Sequence, residues 1–101
     1  MRLIALAAGS ILAAGCAAAP AAAQQIDGRL LASSCLNCHG PGGKSLGAIP
    51  SISGKSEEFI KNAMMDFRAD RRTGTTVMGR LAKGYSDDEI AALAKYIATL
   101  K

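Results

Sequence analysis

The chain has 101 residues, half of them hydrophobic, with 12 Lys and Arg against 8 Asp and Glu for a net charge of +4. That length argues for one domain, and the composition excludes a large enzyme, a coiled coil and a multi-span membrane protein. The hydrophobic residues are unevenly divided: residues 1–23 hold 18 of them, 11 being alanine, whereas residues 24–101 hold 32 in 78, with no Trp, two Phe and two Tyr. Chains below roughly 70–80 residues rarely bury enough apolar surface unaided. The second part therefore needs a staple.

Met1-Arg2 supplies one positive charge, and Leu3 to Ala23 then runs without a charged residue to Ala21-Ala22-Ala23. A basic start, an apolar stretch and an A-x-A exit form a secretory signal peptide. Residues 1–23 are accordingly expected to be an address, cleaved after Ala23, and residues 24–101 one exported domain. Gly9, Ser10, Gly15 and Pro20 interrupt the run and argue against a retained membrane anchor. Leu12-Ala13-Ala14-Gly15-Cys16 offers a second route, a lipobox that would leave Cys16 lipidated. No membrane association is expected otherwise. The destination is an oxidising compartment, the periplasm.

The remainder reads as helices joined by glycine-rich loops. Asp27 caps a first helix through Leu30, Leu31 and Cys35, which ends near Gly40-Pro41-Gly42-Gly43. Ser56 caps a second, with Glu57 and Glu58 in its first turn and Phe59, Ile60, Ala63, Met64 and Phe67 as its apolar stripe. A loop from Thr73 to Gly84 holds Met78. Ser86-Asp87-Asp88-Glu89 is a capping box opening a last helix with Ile90, Leu93, Ala94, Ile97 and Leu100 on one face.

Cys35-Leu36-Asn37-Cys38-His39 carries the chemistry. C-x-x-C-H is the attachment signature of a c-type haem. On one helical turn the two thiols reach two vinyl groups of a porphyrin, and His39 is held beneath the iron as an axial ligand. A thioredoxin-like pair lacks its βαβ context. A disulfide leaves His39 unexplained, and a zinc site lacks a fourth ligand. The cofactor expected is one covalent haem c, with Cys35, Cys38, His39 and Met78 as its binding residues. Met64 lies on an apolar stripe and reads as core, and Met65 falls off it, whereas Met78 sits in a glycine-flanked loop. His39 and Met78 are thus the expected iron ligands. This pair raises the reduction potential relative to two imidazoles. With both axial positions filled, the role is electron transfer, not catalysis. The Pro50 carbonyl is the expected partner for the second nitrogen of His39.

With these residues in place, the chain resembles class I cytochromes c over essentially all of residues 26–100. The resemblance implies an all-α fold of three to four helices packed around one covalently bound haem, with first and last helices crossing closely. Tyr96 would pack at that crossing, opposite Gly28 or Ala32. Ile49-Pro50-Ser51-Ile52, Asp66-Phe67-Arg68 with Arg71-Arg72, and the run from Thr76 to Ser86 resemble the cytochrome subunit of flavocytochrome c sulfide dehydrogenase. The best-known form of that subunit has two haem domains, whereas this sequence has one C-x-x-C-H. The resemblance implies a periplasmic electron carrier that accepts electrons from an FAD-containing flavoprotein that oxidises sulfide, with Met78 as ligand. The alternative is a freely diffusing small cytochrome c that serves an oxidase or photosynthetic centre. A third reading, a haem module whose Met78 dissociates to admit a gas, belongs to another class. Lys44, Lys55, Arg80 and Lys83 fall in loops expected around the haem edge, where they would steer an acidic protein partner. Nucleic acid is not an expected partner, since charge is modest and the loops lack interleaved aromatics.

Overall fold

Asp27 starts the first helix: its Oδ1 accepts the N–H groups of Arg29 and Leu30 at 3.0 and 3.3 Å, satisfying donors that a helix start leaves free. The computed structural model describes residues 8–16 and 25–101. It contains α1 (Gly28–Ser33), α2 (Leu36–His39), a 3-10 turn (Pro41–Gly43), α3 (Glu57–Arg68), α4 (Met78–Ala82) and α5 (Asp87–Ile97). Among the described residues there is no strand. The fold is all-α, with five α-helices among the described residues where three to four are expected.

Two local effects account for the difference. The hydroxyls of Ser33 and Ser34 donate to the carbonyls of Leu30 and Leu31, at 2.6 and 3.2 Å. Such side-chain bonds compete with the helical ladder. The backbone tightens there to i−3 bonds, Cys35 N–H to Ala32 and Cys38 N–H to Cys35, and one expected helix divides into α1 and α2. The second effect lies at Met78, which opens the short helix α4 and does not sit in an extended loop.

The remaining ends follow their residues. Ser56 Oγ accepts the Phe59 N–H at 3.1 Å to cap α3. At α5, Ser86 Oγ accepts the Glu89 N–H while the Glu89 carboxylate accepts the Ser86 N–H, a reciprocal capping box. Residues 8–16 are exposed and without regular structure. The expected cleavage after Ala23 lies outside the described residues. No described helix is long and apolar enough to cross a membrane.

α1 crosses α5, which in turn packs on α3. The core consists of Ala32, Ile60, Ala63, Met64, Ala82, Ile90, Leu93, Ala94 and Ile97, with no buried polar side chain among them. Among the described residues only Ile90 and Leu93 are both large and fully enclosed. The sequence leaves Gly28 and Ala32 as alternatives for the small residue at the crossing, and the backbone approach decides. A Cβ on Gly28 would stand 2.1 Å from the Ala92 carbonyl oxygen, which is backbone and cannot swing aside. Ala32 is fully buried beside it, and Tyr96 packs half-buried on the same cluster. Gly28→Ala should therefore push α1 off α5 and destabilise the fold by about 1–3 kcal/mol. Thermal unfolding of the purified protein checks this, and an unchanged midpoint would contradict the close crossing.

Candidate haem site

α2 ends at His39 because Gly40 turns the chain with φ 93°. Only glycine takes that turn without strain, and a Cβ here would lie 1.9 Å from the Lys44 carbonyl oxygen. The loop beyond is closed by hydrogen bonds. Ser45 N–H donates to Ser51 Oγ at 2.8 Å. Ile52 and Ser53 N–H both donate to the Gly43 carbonyl, and Gly54 N–H reaches the Leu100 carbonyl at 2.9 Å. These bonds set Pro50 over His39. The imidazole Nδ1–H donates to the Pro50 carbonyl at 2.6 Å, the contact expected from the residue order. With Nδ1 protonated, Nε2 keeps its lone pair as the nitrogen able to bind a metal.

His39 lines a cavity of about 670 Å³ between the 44–55 loop, α3, α5 and the segment entering α4. Cys35, Met64 and Met78 line it too, with Ile49, Phe67, Leu93 and Ile97 among its apolar walls. Cys38 opens onto a neighbouring cleft beside Leu46 and Ala48. No disulfide joins Cys35 and Cys38. Burial pushes the Cys35 thiol up from its ordinary value, opposed by a hydrogen bond from Ser34. Cys38 is exposed. No group of three or more His, Cys, Asp or Glu is placed to hold a metal ion among the described residues. The donor set is one imidazole with thioethers around an apolar chamber, which fits an iron porphyrin and not a polar metal site.

Several contacts had no signal in the sequence. Met64, expected as core, is buried and also on the cavity wall. Lys55 Nζ lies 5.3 Å from the Phe59 ring centre, and the Arg72 guanidinium 5.1 Å from that of Phe67; all four residues line the cavity. Arg68 donates to the Tyr85 carbonyl at 3.1 Å and pairs with Asp87. Of the basic residues expected around the edge, Lys83 is engaged by Asp70 at 2.6 Å.

Residues 26–101 match the family described as Cytochrome c. The chain is 51% identical over 73 residues to the cytochrome subunit of sulfide dehydrogenase of Chlorobaculum tepidum, a match covering 72% of this chain and 66% of that protein. It is 40% identical over 93 residues to cytochrome c-553 of Helicobacter pylori, covering 90% and 96%. It is 35% identical over 69 residues to a thiosulfate dehydrogenase electron acceptor of Stutzerimonas stutzeri, covering 65% of this chain but only 32% of the relative. The chain belongs to the cytochrome c family, as an electron-transfer protein with a covalently bound haem c.

Proposed function

We propose that Cys35 and Cys38 hold the haem by thioether bonds, that His39 Nε2 and Met78 Sδ are its axial ligands, and that the protein carries electrons in the periplasm from a flavoprotein that oxidises sulfide. The observation that carries this reading is the shared chamber: His39, Cys35 and Met78 line one apolar cavity, and His39 Nδ1 is already committed to Pro50. Haem, once bound, supplies a one-electron iron couple. The chain's residues tune it. The Pro50 carbonyl fixes the imidazole plane and raises its basicity. A thioether from Met78 favours reduced iron over what a second imidazole would give. Ile49, Phe67, Leu93 and Ile97 keep water from the chamber walls. The partner follows from the likeness to the sulfide dehydrogenase subunit, and the exposed cations Lys44 and Arg80 suit an acidic surface on it. Since the match spans only 66% of that relative, the rest of its assembly is not carried over. One observation favours the second reading, a freely diffusing carrier: the match to cytochrome c-553 spans 96% of that protein.

The ligand assignment is tested by replacement. Met78→Ala should abolish the absorption of Met-ligated ferric haem, lower the potential and open the iron to imidazole, whereas Met64→Leu should leave all three unchanged. The reverse pattern would transfer the ligand to Met64. Pull-down from periplasmic extract should recover an FAD protein, and sulfide-driven reduction through it should slow by about tenfold as salt rises. A protein that elutes alone and is untouched by sulfide-reduced flavoprotein supports the carrier. Mass spectrometry of the exported protein should begin at Gln24. A chain starting at a lipidated Cys16 would place it on a membrane instead.

A further inference from the structure

The helix that presents Met78 has little of its own to hold it. α4 has five residues, and its N-cap, Val77, offers no side-chain cap. So short a helix does not persist alone, because nucleation is not repaid over one turn. Its buried anchor, Ala82, is at the end away from Met78. At the Met78 end, where Met78 itself packs half-buried on the core, the polar tie is Lys83, whose ammonium donates to the carbonyl of Gly79 at 3.2 Å and to Asp70 Oδ1 at 2.6 Å.

Asp70 stands where α3 ends. Its N–H donates to the Phe67 carbonyl at 3.1 Å and the Arg71 N–H to the Asp66 carbonyl at 2.9 Å, the two bonds of a Schellman ending. That ending places one residue in the left-handed region, where glycine is usual. Here it is Asp70, with φ 55°. Judged locally, glycine is the better residue. What the carboxylate adds is its bond to Lys83.

We propose that Asp70 and Lys83 are positioning residues, a strut that ties the end of α3 to the first turn of α4 and so holds the Met78 thioether at the cavity wall. The proposal rests on the reading of Met78 as axial ligand. Both side chains are substantially exposed, 71% for Asp70 and 47% for Lys83, so solvent screens the pair. The strut accordingly biases how often the sixth position opens and does not by itself close it. Arg68 acts at the other end of α4, through the Tyr85 carbonyl.

The test uses the ferric haem protein and titrates it with imidazole, whose apparent affinity scales with the fraction of molecules in which that position is open. Asp70→Gly and Lys83→Met should each bind imidazole about threefold to fivefold more tightly than the wild type. The excess should shrink in high salt, and Lys83→Arg should restore wild-type affinity. Asp70→Gly should keep or raise the thermal midpoint, since glycine suits the left-handed turn; a purely structural pair would lower the midpoint and leave imidazole binding alone. Wild-type affinity in either variant overturns the strut, because it needs both partners. Failure of the Met78 reading looks different: Met78→Ala would then match the wild type in both its haem absorption and its imidazole affinity.

Discussion

The structure depends on a shortage of apolar mass. Among the nine buried core residues four are alanine, and only Ile90 and Leu93 are large and fully enclosed. Three of the five described helices have six residues or fewer, too short to stand without tertiary support. They are arranged around a chamber of about 670 Å³. Haem c, a large flat apolar body, supplies the interior that the side chains do not. Cofactor and core are therefore the same physical object, and the architecture is organised to surround it.

The two walls of that chamber are held by different means. On the His39 side the chain is fastened through its backbone, by bonds from Ile52, Ser53 and Gly54 to the Gly43 and Leu100 carbonyls, with Gly40 forced into a conformation that admits no Cβ. On the Met78 side the fastening is by side chains: Lys83 to Asp70, and Arg68 to Tyr85 and Asp87. Exposed charge pairs are individually weak and yield to salt. The Met78 wall thus draws on an exposed, salt-sensitive pair where the His39 wall draws on backbone bonds.

Charge has a double use for the same reason. Arg68 pairs with Asp87 and Lys83 with Asp70, joining the C-terminal end of α3 to α5 and α4, while Arg71 and Arg72 pair with Asp66 at the end of α3 itself. Lys44 and Arg80 remain exposed at the surface. Pairing leaves the net charge unchanged but withdraws the four paired residues, of the chain's 12 cations, from meeting a partner.

Elements whose signals are contained within a few residues were legible from the sequence. Asp27, Ser56 and the Ser86–Glu89 box cap their helices as read, because a cap bonds to N–H groups two or three residues away. C-x-x-C-H identified the cofactor, and the loop order placed the Pro50 carbonyl on His39. Other features depended on partners remote in sequence. The choice of Gly28 over Ala32 at the crossing required the Ala92 backbone. The helix at Met78 draws on Asp70, 13 residues from Lys83, and on Tyr85, 17 from Arg68. Ser34 meets Tyr85 across 51 residues. Local hydrogen bonding determined where helices start, and the thiols and imidazole of C-x-x-C-H which cofactor the chain takes; contacts between distant segments decided which glycine admits the crossing, that Lys83 is engaged by Asp70, and how the Met78 helix is tied.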